Sequence, residues 1–447
     1  MADFLSAAEA ARRLGVKPAT LYAYVSRGVL SRGKAADGRA SLFNADEVER
    51  LARRGRPRRP AGVADITVES AITEITGDSL RFRGLDATRL AVSRTFEEVA
   101  ELLWTGELRS AREPWQARPA ALAAGRAAQA ALPAGTLPLE RLQVIVPAMA
   151  ATDPLRLQLD PAAVLAAGRS IIAGMVDCLP STATSGPGAS GSSTSGPGTS
   201  GPGISGPGIS GPGTSGPGVS GPGVSGPGAS GPGQRVAERL WSRLCDRRAG
   251  PALMHAMSAA LVLLADHELA ASTLAARAAA SVRADPYAVV GTGLGAVSGA
   301  LHGGASLGAE TLMGAASGPD DVPRVVAELL RRGEKVPGFG HFVYRGGDPR
   351  AVVLLDLVRR AAPKSGPLAV ADAVLAEIRQ KSLPEPNIDF AIATLARVAG
   401  MVRGGAEAIF AVARTAGWIA HALEAYAGPG PLRPRAVYTG KPAADGP

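Results

Sequence analysis

Apolar residues recur three and four positions apart along most of this chain, the spacing that buries one face of a helix. The first such run starts at Ser6, and Glu9 three residues later predicts a capping box, in which the two residues satisfy each other's backbone N–H groups. A second short helix is predicted from Pro18, in ATLYAYVSRG. Residues 29–43 alternate polar and apolar positions as a hairpin wing does, and Asn44 can cap a further helix. This order of elements predicts a winged helix-turn-helix at the N-terminus.

Most of the remaining chain keeps the helical period. A strand or short hairpin is predicted around Ile72 and Ile75, and FEEVAELLWTGEL is an amphipathic helix that ends at Gly106. Hydrophobic residues make up 46 % of the chain and aromatic residues only 4 %, and small side chains suit closely packed helices better than sheets. The predicted fold class is therefore all-α, with a large and a small helical domain after the helix-turn-helix.

Residues 181–233 interrupt the helical pattern with a low-complexity insert. Its unit is Ser-Gly-Pro-Gly-x, and nine SGPG copies start between Ser185 and Ser230. The period of five excludes a collagen triple helix, which needs glycine at every third position. Proline and glycine disfavour both helix and ladder, so a flexible surface spacer inside one domain is predicted.

Positive charge is concentrated near the N-terminus. The net charge is +9, and residues 1–60 hold 13 Lys and Arg against 6 Asp and Glu, a surplus of 7. Nucleic acid is the commonest partner of such a segment, so duplex DNA is a candidate partner of residues 1–60. Within RRGRPRRP, Arg56 could enter a narrow minor groove, and a solvated basic linker is the alternative.

Other classes of protein are disfavoured by composition. Two cysteines, Cys178 and Cys245, are too few for a disulfide framework. The N-terminal residues do not read as a secretory signal, and no run of 18 uninterrupted apolar residues suggests a membrane span. A cytoplasmic protein that does not bind membranes is expected.

Candidate chemistry lies in three loops. His302 lies in GALHGGASLGAETLM and His341 lies in VPGFGHFVYRGGDPRA, where flanking glycines let the backbone approach a ligand. Asp389 follows two prolines in LPEPNIDFAIATL, just before an apolar helix whose N-terminus favours an ionised carboxylate. The histidines lack the close spacing with Cys or acidic residues that a metal site needs, so no metal is predicted.

Together, LHGGA, GFGH followed by DPRA, and PNIDF resemble the citrate synthase family in order and spacing. The resemblance covers about residues 65–447 apart from the insert, and continues in ADHELAAST, VARTAGWIAH and LRPRAVYTG. It implies citrate-synthase-like large and small helical domains, and condensation of acetyl-CoA with oxaloacetate to citrate and CoA. On this resemblance, Asp389 is the general base, His302 donates a hydrogen bond to the enol or enolate oxygen, and His341 polarises the ketone and protonates the new alkoxide.

The same resemblance implies a dicarboxylate pocket. Arg350, Arg414 and Arg433 match the oxaloacetate-binding arginines of the family, and His267 matches a further substrate ligand. Arg433 resembles the arginine that reaches across a dimer interface, so a homodimer is implied. No permanently bound cofactor is implied, because the acyl-CoA is a substrate. The loop that receives CoA corresponds to Val336, Gly338, Phe339 and Gly340.

Three positions depart from the common family pattern. Phe342 stands where many bacterial members carry Arg, Ser306 stands where Asn usually follows GGA, and Glu385 replaces an aromatic or apolar residue. All three lie beside the sites implied for acyl-CoA or the ketone, so they bear on the choice of acyl group. The alternative is 2-methylcitrate synthase, which takes propionyl-CoA, since one methylene changes binding by only about 1–3 kcal/mol.

The N-terminal segment SAAEAARRLGVKPATLYAYVSRGVL, followed by RASLFNADEVERL, resembles the DNA-binding domain of MerR-like regulators. In that family the second helix lies in the major groove, where this chain would present Lys17, Thr20, Tyr22 and Tyr24. A basic docking module that does not bind DNA is the alternative. A third function class follows, namely a DNA-binding regulator whose synthase-like domain senses its ligand without turnover.

These observations give the following predicted organisation along the chain. The segments are a helix-turn-helix domain over residues 1–54, a basic linker over 55–62, the large domain over 63–180, 234–302 and 399–447, the insert over 181–233, and the small domain over 303–398.

Overall fold

The computed structural model describes residues 4–14, 25, 30–34, 41–45, 47–48, 68–110, 113–181, 234–428 and 430–434. Its contacts divide the chain into two compact units, Met1–Val68 and Glu69–Pro447. The predicted basic linker and the predicted insert beyond Ser181 lie outside the described residues. The predicted internal boundaries of the large and small domains stay predictions.

The described part of the first unit contains an antiparallel sheet and a short helix. In chain order its elements are β1 Phe4–Ser6, α1 Ala7–Leu14, β2 Arg32–Lys34 and β3 Ser41–Asn44. Strand β3 lies between β1 and β2 and pairs antiparallel with both. The β2–β3 hairpin confirms the predicted wing, whereas β1 was not predicted, because three residues are too few to show an alternating pattern.

The capping box at the start of α1 is present. Ser6 N–H donates to Glu9 Oε2 (3.0 Å), and Glu9 N–H donates to Ser6 Oγ (3.3 Å). Asn44 Oδ1 accepts from Glu47 N–H (3.3 Å), as predicted for a helix cap. A small core packs behind these elements, formed by Ala10, Ala11, Leu30, Phe43 and Val48.

The second unit begins with a small antiparallel sheet. Its strands are β4 Thr73–Thr76, β5 Ser79–Phe82 and β6 Leu85–Asp86. A two-residue turn joins β4 to β5, and Gly77 takes the left-handed conformation there, with φ of +60°. The hairpin predicted around Ile72 and Ile75 is therefore confirmed.

Helices make up most of the second unit, as predicted for an all-α body. They are α2 Ala87–Ser93, α3 Phe96–Thr105, α4 Pro119–Ala130, α5 Pro138–Ala150, α6 Pro161–Cys178, α7 Val236–Leu244, α8 Pro251–Leu264, α9 Ala271–Ser281, α10 Pro286–Val297, α11 Gly304–Ala315, α12 Val322–Arg331, α13 Pro349–Ala361, α14 Gly366–Gln380, α15 Ile388–Ala399 and α16 Gly405–Ala427, with a short 3₁₀ helix Pro319–Asp321 before α12.

Local sequence fixes where many helices begin and end. Thr95 and Glu98 form a complete capping box at the start of α3, and Gly106 ends that helix with φ of +79°. Asp348 and Asn387 cap α13 and α15 with their side chains. These two caps precede the helices that carry Arg350 and Asp389, so capping also positions the site.

Helix α16 lies at the centre of the second unit. Nearly every residue from Gly405 to Ala422 is buried, and the helix packs against α3, α5, α6, α8, α9, α10, α11 and α15. Trp104 in α3 donates its indole N–H to Ala416 O in α16 (2.8 Å), which satisfies a buried polar group. A helix that is apolar on all sides must be buried, and here it forms the floor of the site.

Among the described residues, one helix, Pro161–Cys178, is long and apolar enough by composition to cross a membrane. About 61 % of that stretch is buried inside the fold. Arg169 on this helix pairs with Glu101 of α3 (2.6 Å), as expected for a helix packed within a protein core.

Candidate active site

The site forms where two segments are hydrogen-bonded side by side. Gly340 N–H donates to Glu385 O (2.8 Å). Asn387 donates its backbone N–H to Gly338 O (2.9 Å) and its Nδ2 to Gly340 O (2.8 Å). These bonds join the loop 336–340 to the start of α15, so the residues that follow each segment lie at the same end of the fold.

Glycine is required at the closest approach of these segments. Gly338 has φ of +83°, and a Cβ there would lie 2.8 Å from the Phe390 side chain. The rings of Phe339 and Phe390 pack at 4.8 Å between centroids. This apolar support holds His341 and Asp389 at the two ends of the joined segments.

Asp348 connects Arg350 to the helix that carries Asp389. It is 1 % exposed, and its carboxylate accepts from Arg350 Nε (2.9 Å) and Nη2 (2.8 Å). The same carboxylate accepts from Ile388 N–H at the start of α15 (2.9 Å). A bidentate pair of this kind fixes both the position and the plane of the guanidinium.

Backbone donors set the proton position on His341. Its Nδ1 accepts from Val343 N–H (3.0 Å) and Tyr344 N–H (3.3 Å), so the neutral ring carries its proton on Nε2. Arg350 Nη2 lies 3.4 Å from that Nε2. Arginine can only donate, so this long contact competes with the ring proton on Nε2, and an acceptor oxygen bound here would accept from both groups. Burial, and then the Arg350 charge, lower the pKa of His341 to about 4.

His267 completes this side of the site. Its Nε2 lies 3.0 Å from the Tyr344 hydroxyl, and its ring packs edge-on against His341 at 5.1 Å. Burial, and then the charges of Arg350 and Arg414, hold the pKa of His267 well below its ordinary value. The ring is therefore neutral near pH 7.

His302 approaches from the turn before α11. Its Nε2 lies 2.7 Å from Ser272 Oγ, and its ring packs edge-on against Phe410 of α16 at 5.4 Å. With the Ser272 hydroxyl as donor, the ring proton is on Nδ1, which is then the donor available to a substrate. Burial, and then the Arg414 charge, lower the pKa of His302 to about 4.

Arg414 is a buried cation with unused donor capacity. It is 1 % exposed, its Nε donates to Leu264 O (2.8 Å), and its guanidinium lies 4.7 Å from the centre of the Phe410 ring. Its Nη1 is buried and has no hydrogen-bond partner among the described residues. A buried N–H left unsatisfied is costly, so this atom favours binding an anionic oxygen.

Asp389 occupies the first turn of α15. Its Oδ1 is shielded from solvent and has no hydrogen-bond partner among the described residues. Burial raises the pKa of Asp389 to about 7, although the Arg350 and Arg414 charges oppose the shift. The expectation that the helix start favours the ionised carboxylate is thus outweighed by burial. A carboxyl group with this pKa can exchange a proton near neutral pH.

The arrangement combines two buried cations, three neutral histidines and one proton-accepting carboxyl group. The cations can neutralise a dianion, and the ring N–H groups can stabilise negative charge that develops on oxygen. The structure therefore brings together six predicted residues, namely His267, His302, His341, Arg350, Asp389 and Arg414. Among the described residues, no group of three or more His, Cys, Asp and Glu could hold a metal ion.

Arg433 is not part of this cluster in the single chain. It is exposed, and its neighbour Leu432 donates its N–H to Ser281 Oγ (2.9 Å). Its predicted role concerned a second subunit, so that role stays a prediction.

Phe342 is 87 % exposed beside His341. Lys17, Thr20, Tyr22, Tyr24 and Arg56 lie outside the described residues.

Sequence reasoning missed the residues that orient the site. Asp348 could have been found from its position directly before Pro349 and Arg350, where a cap and an ion pair are both possible. No local signal marks Tyr344 or Ser272 as partners of histidines, because each contact joins segments far apart in sequence.

The sequence matches the family profile described as the C-terminal domain of citrate synthase over residues 62–435. The chain belongs to the citrate synthase family. This family consists of transferases. Residues 4–56 also match a helix-turn-helix domain, so the chain joins a citrate synthase domain to an N-terminal helix-turn-helix domain.

Named relatives agree with the family. Citrate synthase 2 of Bacillus subtilis is 36 % identical over 212 residues, which are 46 % of this chain and 56 % of that protein. Citrate synthase of Haloferax volcanii is 39 % identical over 186 residues, which are 41 % of this chain and 49 % of that protein. The chain thus spans about half the length of these relatives.

Solved citrate synthases share the fold. The enzyme of Thermoplasma acidophilum, in a ternary complex with carboxymethyl coenzyme A and oxaloacetate, superposes with a TM-score of 0.66 at 22 % identity, covering 85 % of this chain and 96 % of that chain. The citrate synthase of Pyrobaculum aerophilum gives a TM-score of 0.62 at 24 % identity, covering 84 % and 91 %.

Proposed function

We propose that this chain condenses acetyl-CoA with oxaloacetate to give citrate and free CoA. The observation that carries the proposal is the position of Asp389, a proton-accepting carboxyl group whose Oδ1 is shielded from solvent, among two buried arginines and the neutral His302 and His341. The ternary complex of the Thermoplasma acidophilum relative, which holds a CoA analogue and oxaloacetate, supports the same pair of substrates.

The proposed reaction begins at the methyl group of acetyl-CoA. Asp389 takes one methyl proton, while Nδ1–H of His302 donates to the thioester oxygen as it becomes an enolate. The new carbanion carbon attacks the ketone carbon of oxaloacetate, and His341 Nε2–H polarises the ketone and protonates the alkoxide. Water then hydrolyses the thioester, which releases citrate and the CoA thiol.

Oxaloacetate would be held by its carboxylates. Arg350 and Arg414 are buried and can each form charge-assisted hydrogen bonds, and Arg414 Nη1 lacks a partner among the described residues. His267, held by Tyr344, adds a further ligand. Arg433 of a second subunit would complete the pocket, so we also propose a homodimer. Separately, we propose a cytoplasmic location for the protein.

CoA would lie along the loop 336–340. A cavity of about 460 Å³ adjoins this loop, and Arg403 on its wall could bind a phosphate of CoA, whereas Arg324 and Arg332 pair there with Glu328 and Glu334. Its lining includes Gly304, Gly308, Arg324, Arg332, Pro337 and Arg403.

The test is release of free thiol by the purified full chain with oxaloacetate and either acetyl-CoA or propionyl-CoA. We expect saturable release that requires both substrates, with the higher kcat/KM for acetyl-CoA. A higher kcat/KM for propionyl-CoA would assign 2-methylcitrate synthase instead. Oxaloacetate binding without thiol release from either ester would favour the regulator that senses its ligand without turnover.

A second function, DNA binding, is proposed for the first unit. The match to a helix-turn-helix domain over residues 4–56 and the β2–β3 wing favour it. We expect retention on duplex DNA that weakens as salt rises and disappears when residues 1–60 are deleted. Equal retention of the truncated chain would refute this function and leave a docking module.

A further inference from the structure

The first residues of the second unit are anchored to α9 and α16. We call residues 69–73 the leading segment, because they follow directly on the first unit. Arg277 Nη2 donates to Glu69 O (3.2 Å), and Ala71 N–H donates to Glu424 Oε1 (2.9 Å). Arg277 and Glu424 also form an ion pair at 2.7 Å. Backbone groups of the leading segment are therefore held by a charged pair from two helices.

The leading segment also reaches a fully buried carboxylate. Thr73 Oγ1 donates to Asp266 Oδ2 (2.6 Å), which accepts as well from Glu268 N–H (3.1 Å) and lies 3.4 Å from His421 Nε2. Asp266 is 0 % exposed. A buried carboxylate must find its donors within the protein, so the Thr73 hydroxyl is part of what stabilises its charge.

His421 connects these two sets of contacts. Its Nδ1 lies 2.9 Å from Arg277 Nη1, which fixes the ring proton on Nε2, facing Asp266. A continuous chain of polar contacts results, buried at its centre and partly exposed at Thr73 and Glu424, which we call the Thr73–Glu424 network. Its members are Thr73, Asp266, His421, Arg277 and Glu424.

Asp266 lies against the proposed oxaloacetate pocket. It directly precedes His267, and its charge and that of Arg414 stabilise each other. A Cβ on Gly417 of α16 would lie 2.2 Å from Asp266 Oδ1, so glycine is required for this close packing. Two pocket residues, His267 and Arg414, thus depend on where the Asp266 carboxylate is held.

We propose that the Thr73–Glu424 network positions the oxaloacetate pocket, so that the affinity for oxaloacetate depends on how the leading segment is seated. Asp266 is the positioning residue, and it acts through His267 and Arg414. Thr73, the last residue of the leading segment, is the residue of that segment that contacts Asp266. The inference rests on the proposed function, since it names regulation of the same pocket. By thermodynamic linkage, oxaloacetate must in turn stabilise the seated segment.

Thr73→Val in the full chain tests the first half of this linkage. The change keeps the shape of the side chain and removes the hydroxyl, so the strand should still form. We expect oxaloacetate to bind about three- to tenfold more weakly by calorimetry, less than the full loss of one hydrogen bond to a charged group, because only part of that loss reaches the pocket. The KM for acyl-CoA should stay unchanged. Thr76→Val is the matched control, because Thr76 is exposed on the same strand, and it should bind oxaloacetate like the parent.

Hydrogen exchange of the Ala71 amide tests the other half. Saturating oxaloacetate should slow this exchange about three- to tenfold in the parent chain, and less in Thr73→Val. The inference would be overturned if Thr73→Val bound oxaloacetate as tightly as the parent, or if oxaloacetate did not change the exchange rate of the Ala71 amide. The proposed function would stand in either case. If the parent chain binds no oxaloacetate, the proposed function fails and this inference fails with it. Asp266→Asn is a second variant, expected to weaken oxaloacetate binding more than Thr73→Val does.

Discussion

Replacing Asp389 by Asn should separate catalysis from stability in this chain. The change removes the proposed general base and keeps nearly the same side-chain volume. A placed base contributes about 10²–10⁴-fold, so kcat should fall by that factor while oxaloacetate binding persists. Asp372→Asn is the matched control, because Asp372 forms an exposed pair with Arg359 (2.7 Å), and it should retain parental activity.

The pH dependence follows from the same carboxyl group. Burial raises the pKa of Asp389 to about 7, and the base acts only when deprotonated. The kcat/KM of the parent should therefore rise with pH up to about 7 and then level. Burial lowers the pKa of His302 and of His341 to about 4, so both rings stay neutral over this range. They should add no second ionisation step to the pH profile of kcat/KM.

The contribution of Asp389 to the free energy of unfolding should fall as pH rises, whereas activity rises. Below pH 3.8 the Asp389 carboxyl carries its proton in both the folded and unfolded chain, so it costs nothing. As pH rises the unfolded chain releases the proton first, which favours unfolding. This loss of folding stability reaches its full size above pH 7. A pKa raised from 3.8 to about 7 corresponds to at most about 4 kcal/mol. Asp389→Asn should therefore raise the free energy of unfolding, and by more at pH 8 than at pH 5.

Stopped assays of thiol release at pH 5.5 to 8.5, with thermal unfolding over the same range, would check both parts. An Asn variant that turns over like the parent would show that the base is misassigned. A variant that is inactive and also less stable at pH 8 would show that the surroundings of Asp389 do not raise its pKa as described above.

Three further changes test other parts of the structure. Glu310→Ala should lower the free energy of unfolding by about 1–3 kcal/mol in denaturant titration, because it leaves Gly404 N–H (2.9 Å) and Ala406 N–H (2.8 Å) at the start of α16 without their acceptor. Glu97→Ala removes the acceptor of Val236 N–H (2.7 Å) at the start of α7 and should destabilise similarly, and parental stability of both variants would contradict this reasoning. Arg414→Lys should raise the KM for oxaloacetate at least about tenfold in steady-state kinetics, because Lys cannot form the bidentate pair, and an unchanged KM would exclude Arg414 from the pocket. Deleting residues 182–233 should leave kcat within about twofold if the insert is only a spacer, since long surface insertions cost little, and a large loss would assign it a structural role.

Local patterns predicted much of this fold, because they depend on neighbouring residues. The capping box at Ser6 and Glu9, the hairpin near Ile75 and the helix that ends at Gly106 are all short-range features. The joined segments around Gly338 and Asn387 could not be predicted, because their hydrogen bonds connect residues almost 50 positions apart.

The candidate site shows the same division. His302, His341 and Asp389 stand in loops whose glycines and prolines mark them in the sequence. Their partners Ser272, Tyr344 and Asp348 are ordinary residues that become important only through packing. The pKa of Asp389 also depends on burial, which a helix-start argument from sequence cannot include.

The central claim is that this site forms a carbon–carbon bond between an acyl-CoA and oxaloacetate. The most direct measurement is identification of the product by mass spectrometry after the purified full chain is incubated with oxaloacetate and acetyl-CoA carrying carbon-13 in its methyl group. We expect labelled citrate that accumulates in step with free thiol, and none from Asp389→Asn on the same time scale. Thiol release with labelled acetate and no labelled citrate would contradict the account.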